Sequence, residues 1–278
     1  MTDLRVGVLG AARIAPLAIV TPAQRVDGAI AAGKHVLCEK PFTANAAEAE
    51  QVADAADASD VVVMEAFHYR YHALARRMHA LVSEGSLGEI RSVRTSLCFP
   101  LPKFSDIRYD YALGGGASMD CCYPVHALRL LGPGEPKVVS AAAKVLGRSG
   151  GRIDRAMTAE FEFAGGATGR TDASMWSRRV LSIRAEVHGA RGSLRALNYV
   201  APQIYNRLRV TVDGHTTRER VRGEPSYVAQ LRAFVAAVRE GTELPTTARD
   251  AVVTMRLIDD IYRAAGLPIR GGLRADGA

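Results

Sequence analysis

The stretch Ala31-Ala32-Gly33-Lys34-His35-Val36-Leu37-Cys38-Glu39-Lys40-Pro41-Phe42 constrains the fold more than any other part of the chain. A small-residue helix end stops at Gly33, a residue that readily takes the left-handed conformation that closes a helix. The run 35–38 is rich in β formers and reads as a short, buried, parallel strand. Glu39, Lys40 and Pro41 stand at its carboxyl end. In open α/β sheets ligands sit outside the carboxyl ends of the strands. A lysine held there can be desolvated and tuned for proton chemistry. The same residues also suit a surface Glu–Lys pair closing a strand, and the stretch alone leaves both readings open.

Upstream, a short apolar strand at 4–9 runs into Gly10-Ala11-Ala12-Arg13-Ile14-Ala15, a G-x-A-x-x-A form of the dinucleotide fingerprint. Alanine at the second position still lets a pyrophosphate approach a helix N-terminus. Gly10, Ala12, Arg13 and Ile14 are therefore candidate cofactor contacts, with a plain strand-to-helix turn as the alternative. A complete dinucleotide domain next places a strand ending in an acidic residue, ~20 residues beyond the glycines, for the adenosine ribose. Here Gln24-Arg25-Val26-Asp27-Gly28 leads straight into the helix remnant at 29–32, and Asp27 ends no strand. A helix over 45–58, capped by Thr43 or Asn45, precedes a buried strand over 61–66. That strand delivers Phe67, His68, Tyr69, Arg70 and Tyr71 at its carboxyl end. His68 and His72 are four apart, but a metal needs further ligands in shared geometry, and no metal site is assigned.

An amphipathic helix over 73–84 and a long strand over 89–99 follow, then Arg108 and the run Gly114-Gly115-Gly116-Ala117-Ser118-Met119-Asp120-Cys121-Cys122-Tyr123-Pro124-Val125-His126. Consecutive glycines permit close backbone approach to a ligand ahead of a helix. Asp120 and Tyr123, three apart, would share one helix face; a helix cap and a core tyrosine are the structural alternatives. From 137 onward the pattern turns β-rich, with strands at 137–146, 157–163, 167–176, 180–188, 193–199 and 204–212. Gly165-Gly166 and Asp213-Gly214 mark hairpins. Hairpin-linked strands make an antiparallel sheet, and helices over 227–240 and 248–265 follow it.

The string AGKHVLCEKPF resembles the signature of the Gfo/Idh/MocA oxidoreductases. The glycine run followed by Asp120 and Tyr123 resembles that family's second signature, with tyrosine as in the glucose–fructose oxidoreductase and dihydrodiol dehydrogenase branch. The resemblance implies an α/β plus α+β fold. A truncated Rossmann-type domain, 1–70, would precede an open, mainly antiparallel sheet domain, 71–278, with helices on one face. The C-terminal helices could pack back on the first domain. It also implies an NAD(P)-dependent oxidoreductase that moves a hydride between nicotinamide and a sugar, polyol or dihydrodiol-like carbon, with NADP slightly favoured over NAD. Lys40, Tyr123 and Asp120 take the catalytic roles. Glu39, Lys40, Pro41 and Arg70 join Gly10, Ala12, Arg13 and Ile14 as cofactor contacts, and Arg108 and His126 become substrate contacts. The Lys40–Pro41 bond is expected to be cis. The chain departs from the family in two ways. Asp120 and Tyr123 are three apart rather than four, and about two βα units of ~30 residues are missing after Gly28. The second departure keeps a cofactor-deficient pseudoenzyme or ligand-binding scaffold as the alternative.

Composition narrows the field. With 278 residues, 48% of them hydrophobic, the chain can bury a real core and divide into two domains. A net charge of +7 and a pI of about 9.4 raise nucleic acid as a partner. The basic residues are scattered among acids, as in Arg218-Glu219-Arg220, and no basic block alternates with aromatics, so no nucleic-acid partner is expected. No apolar run approaches the ~20 residues of a membrane span, and no charged-then-apolar leader opens the chain. The expectation is a cytoplasmic protein without a membrane partner. The four cysteines, two of them adjacent, suggest no disulfide framework. A homodimer, or a tetramer built from it, is expected through the open face of the 137–212 sheet, whose Met, Trp and Val residues would otherwise meet water.

Overall fold

The structure, a computed structural model, describes residues 29–111, 115–120, 122–147, 150–176 and 181–271. Gly10, Ala12, Arg13 and Ile14, with the strand expected at 4–9, lie outside these residues. The first described strand, β1 (Val36–Cys38), follows Gly33, which has φ +66° as a helix-closing glycine. Helix α1 (Ala46–Asp57) begins at Asn45, whose Oδ1 accepts the Glu48 amide at 2.9 Å. Of the two expected caps, Asn45 takes the role, while Thr43 donates its hydroxyl to the Asn45 carbonyl. Strand β2 (Val63–Glu65) then pairs in parallel with β1, Cys38 opposite Glu65.

A 3₁₀ turn, His68–Tyr71, leads to α2 (Ala73–Ser83) and the long strand β3 (Ile90–Cys98). Helices α3 (Ala117–Asp120) and α4 (Tyr123–Leu131) follow. Asp120 and Tyr123 therefore sit on successive helices rather than on one face of a single helix. Strands β4 (Lys137–Val145), β5 (Asp154–Glu162), β6 (Thr168–Ser174), β7 (Ser182–Gly189), β8 (Gly192–Leu197), β9 (Arg207–Val212) and β10 (His215–Glu219) complete an eight-stranded sheet ordered β10-β9-β8-β7-β3-β6-β5-β4. Strand β10, beyond the Asp213-Gly214 turn, has all five residues exposed and so lacks the apolar alternation that marks a strand in sequence. Every pairing is antiparallel except β3 with β6. Parallel neighbours need a crossover, and the connection through α4 and the β4–β5 hairpin supplies it. Helices α5 (Ser226–Glu240) and α6 (Ala248–Ala264) end the described fold.

One face of the large sheet is the core. Val93, Thr95 and Leu97 of β3, Met157, Ala159 and Phe161 of β5, and Ala185 and Val187 of β7 are buried there. Helix α4 lies on this face, fixed where the Thr95 hydroxyl donates to the Pro124 carbonyl at 2.7 Å. Met157 and Met175 are buried, so the expectation that methionines line the outer face is corrected by register. The outer face instead carries a charged row crossing seven strands: Arg218, Arg209, Arg195, Glu186, Arg94, Arg170 and Glu160 stand opposite one another in turn. Arg195 pairs with Glu186 at 2.9 Å, and Arg170 pairs with Glu160. Val139 and Val145 of β4 and Trp176, just past β6, are large apolar residues left exposed in or beside the sheet.

Helix α6 ties the two sheets together. Arg249 reaches Glu50, Asp54 and Asp57 of α1 at 2.6–2.8 Å, and Thr247 bridges to Met64 of β2. Beyond it, Arg270 is 1% exposed and donates to Asp154 at 3.2 Å and to the Gly115 carbonyl at 3.0 Å. Asp154 also accepts the Ser118 amide and hydroxyl, both at 2.8 Å, and the Tyr262 hydroxyl at 3.0 Å. A strand carboxylate thus caps the first turn of α3. Gly116, at φ +142°, leaves the room, since a Cβ there would run into Asp154 and Arg270. Among the described residues no helix is long and apolar enough to cross a membrane.

Removing one member of a buried ion pair leaves the other uncompensated, at a cost of about 3–5 kcal/mol. We predict that Arg270→Met lowers the unfolding free energy measured in urea by that order, and the midpoint with it. Arg270→Met combined with Asp154→Asn is expected to recover part of the loss. A midpoint unchanged in the single variant would show that the pair holds nothing.

Candidate active site

The residues expected to act together converge at the carboxyl end of β1. The chain leaves Cys38 through an exposed Glu39, turns at a cis Lys40–Pro41 bond, and buries Phe42 at 1% exposure. This anchoring sends the Lys40 side chain toward α3. Its Nζ donates to the Asp120 carbonyl at 2.7 Å and lies 3.3 Å from Asp120 Oδ1. The other carboxylate oxygen, Oδ2, accepts Arg108 Nε at 2.8 Å, while Arg108 Nη1 pairs with Asp106 at 3.1 Å. Burial alone would raise the Asp120 pKa, but Lys40 and Arg108 outweigh it and hold the carboxyl below its ordinary value. Asp120 is thus an anion throughout the neutral range, and its pairing is lost only on acidification below the usual carboxylate pKa.

Tyr123 opens α4 with its ring 5.0 Å from Lys40 Nζ, a cation–π distance. Its ring stands edge-on to Phe67 at 5.4 Å and to His68 at 5.8 Å. Burial, reinforced by Cys122, Tyr227, Glu39 and Asp120, pushes the phenol well above its ordinary pKa, so it holds its proton at neutral pH. The arrangement combines a fixed ammonium, a permanent carboxylate and a protonated phenol, the set needed to exchange a proton with a nearby alkoxide or carbonyl oxygen.

The remaining expected residues lie around this centre. Arg70 is half-buried in the turn that follows β2. His126 is 4% exposed: its ring stacks on Phe67 at 4.1 Å, its Nδ1 meets the Tyr69 hydroxyl at 2.6 Å, and its Nε2 lies 3.6 Å from Asp250. Burial lowers its pKa. The structure therefore places His126 behind the wall of the site, not on its surface. Asp250 in turn holds Arg129 at 2.8 Å, and this Tyr69–His126–Asp250–Arg129 chain was not legible in sequence, since α6 lies over a hundred positions from α4. His68 gives its Nδ1 to a 2.8 Å contact with Ser226 and stacks on Tyr227 at 4.1 Å; burial and then Lys40 lower its pKa to about 4. His72 caps α2 by accepting the Leu74 amide at 3.0 Å. Tyr227, 58% exposed at the start of α5, was read in sequence only as a helix beginning.

Comparison with known proteins agrees with this geometry. Residues 21–67 match the model of an oxidoreductase family with an NAD-binding Rossmann fold, and residues 75–195 match the GFO/IDH/MocA C-terminal domain. The chain is 36% identical over 235 residues to the D-xylose 1-dehydrogenase (NADP(+)) 2 of Haloferax volcanii, over 84% of this chain and 71% of that protein. It superimposes on the aldose–aldose oxidoreductase of Caulobacter crescentus, solved with glycerol, with a TM-score of 0.82 at 27% identity, covering 91% of this chain and 76% of that one. A 3-ketoreductase from Actinomadura kijaniata, solved with NADP and TDP-benzene, gives 0.80 at 28% identity, covering 90% and 77%. With a lysine-bearing strand end, an Asp–Tyr pair facing it and both family models matched in order, the chain belongs to the Gfo/Idh/MocA family of NAD(P)-dependent oxidoreductases.

Proposed function

We propose that this chain oxidises or reduces a sugar or polyol at a hydroxyl-bearing carbon, with Lys40, Asp120 and Tyr123 as its acid/base centre. The observation that carries the reading is the Lys40 ammonium, fixed by Asp120 at the end of a parallel strand and facing the Tyr123 ring. A nicotinamide dinucleotide, when bound, supplies or accepts the hydride. The donor set fits such a group: a part-buried cation and an aromatic wall lie at the strand ends where dinucleotides sit. Lys40, Glu39, Pro41 and Arg70, with Gly10, Ala12, Arg13 and Ile14 outside the described residues, would hold it. Tyr123 gives its proton to the oxygen of a carbonyl being reduced; in the oxidation direction the phenol first loses its proton to solvent, and the phenolate so formed takes the alcohol's proton. Lys40 stabilises the phenolate and the alkoxide between these states, and Asp120 fixes where the ammonium points. Arg108, 38% exposed and anchored by two carboxylates, offers its free face to substrate hydroxyls. His126 supports the wall through Phe67 and Tyr69.

The assembly we propose is a homodimer through the outer face of the large sheet, in the cytoplasm. The charged row supports it, because a two-fold axis brings the Arg-rich β8–β10 end onto the Glu160 end of a second copy. Light scattering should give a dimer mass that falls toward the monomer as salt is raised. A monomer mass at low salt would sink this assembly.

Losing an acid/base participant costs about 100-fold in rate. Lys40→Met and Tyr123→Phe are each expected to lower kcat by at least that order while melting like the parent. The double variant should be no worse than either single, because the two groups act as one unit. Near-parental turnover in both singles would remove them from the mechanism.

The strand expected to hold the adenosine ribose is missing from the sequence after Gly28. An adenosine has roughly twenty heavy atoms at ~0.3 kcal/mol each, so losing most of that half weakens binding by ~5 kcal/mol, between three and four decades. Titration calorimetry with NADH and NADPH is expected to give millimolar dissociation constants. Micromolar binding of either would mean that the remaining segments rebuild the adenosine site.

A further inference from the structure

His68 opens the 3₁₀ turn that follows β2, and only 4% of it is exposed. Its ring is fixed on three sides. Tyr227 of α5 stacks on one face at 4.1 Å with the planes 24° apart, and the Tyr123 ring stands edge-on at 5.8 Å. Its Nδ1 lies 2.8 Å from the hydroxyl of Ser226, a fully buried residue at the start of α5. That hydroxyl donates in turn to Gln203 Oε1, also at 2.8 Å. Gln203 stands on the loop between β8 and β9, which two asparagines clamp. Asn198 donates to the Ala201 and Tyr205 carbonyls, and Asn206 to those of Pro202 and Val221.

A hydroxyl has one proton to give. Ser226 gives it to Gln203, so the proton in the His68–Ser226 contact comes from Nδ1. A neutral imidazole protonated at Nδ1 carries only a lone pair at Nε2, because the bond made by one nitrogen sets the role of the other. Burial, and then the Lys40 ammonium, lower the His68 pKa to about 4, so the ring is neutral at pH 7. Among the described residues Nε2 has no hydrogen-bond partner, and it is not one of the unpartnered atoms sealed from solvent. A buried ring thus keeps one acceptor open beside Tyr123.

We propose that His68 is a substrate-binding residue whose Nε2 accepts a hydrogen bond from one hydroxyl of a sugar that presents a neighbouring carbon to Tyr123, with Ser226 and Gln203 as positioning residues that fix its tautomer. This rests on the reading of Lys40 and Tyr123 given above. Those two groups both offer protons, whereas a sugar hydroxyl also has a proton of its own to place. An acceptor beside them lets the site reject a sugar that lacks the neighbouring hydroxyl more sharply than an apolar wall could.

The chain has seven histidines, and His68→Phe identifies the His68 signals. Long-range ¹H–¹⁵N spectra of histidine-labelled protein at pH 7 read the tautomer directly. We expect a protonated Nδ1 and a bare Nε2, and Ser226→Ala should let the proton divide between the two nitrogens. With NADPH present, so that no sugar is oxidised, D-xylose or D-glucose should shift the Nε2 resonance to lower frequency. Tetrahydropyran, a ring without hydroxyls, should leave it in place. His68→Phe should lower kcat/KM for the same sugars about tenfold, the scale of one hydrogen bond. A proton on Nε2, an Nε2 resonance that neither sugar moves, or an unchanged kcat/KM overturns the proposal. Should Ser226→Ala not fold, the parent spectra decide. Sugar turnover with Nε2 protonated defeats this inference alone. A bare Nε2 that responds to sugar in a chain without turnover leaves the hydroxyl site standing and defeats the catalytic reading of Lys40 and Tyr123.

Discussion

Everything at the site depends on one cation withdrawn from water. Lys40 is only 14% exposed at its side chain and would be destabilising there without Asp120, which stands eighty positions further along the chain. The requirement is met from both sides. Cys38 and Phe42 fix the strand end, and Asp154 fixes the helix that carries Asp120. Arg108 occupies the other carboxylate oxygen, so Asp120 cannot turn away from the ammonium without breaking a second pair. The geometry is over-determined: the ammonium and the carboxylate are each held by more than one partner.

The outer face of the large sheet shows a second use of charge. Arginines and glutamates stand opposite one another across strands, where pairs contribute little each while exposed to water. Their value lies in discrimination, because a row with Arg at one end and Glu near the other accepts few partners and rejects most. Scattered basic residues in the sequence, which argue against nucleic acid, thus become an ordered pattern once the register is known.

The chain disclosed its chemistry more readily than its packing. Gly33 and the strand ending at Cys38 are local features, so propensity placed them, whereas the cis Lys40–Pro41 bond followed only from the family resemblance. The hairpins at Gly165-Gly166 and Asp213-Gly214 likewise announced an antiparallel sheet. The parallel β3–β6 pairing was invisible, because it joins segments whose sequences each read as ordinary strands. So was β10, whose polar residues carry no alternation. Asp120 and Tyr123 were read as one helix face because spacing cannot report a break between helices. His126 looked available to substrate because sequence gives no sign of Tyr69 and Asp250 closing on its two nitrogens. Nothing in the sequence marks Arg270 or Glu65 as buried, since burial of a charged residue is set by distant partners.

Arg270 has a consequence in time as well as in space. The Gly115 carbonyl it binds lies 155 positions earlier in the chain, and the Asp154 it pairs with lies 116 positions earlier. During synthesis from the N-terminus, the turn before Asp120 emerges and must wait through the making of the whole large sheet. Asp154 can cap α3 long before residue 270 emerges, and that residue then adds the last tie, on the Gly115 carbonyl. A nascent chain with its sheet formed would still lack this final clasp between the C-terminal end of the fold and the turn before α3.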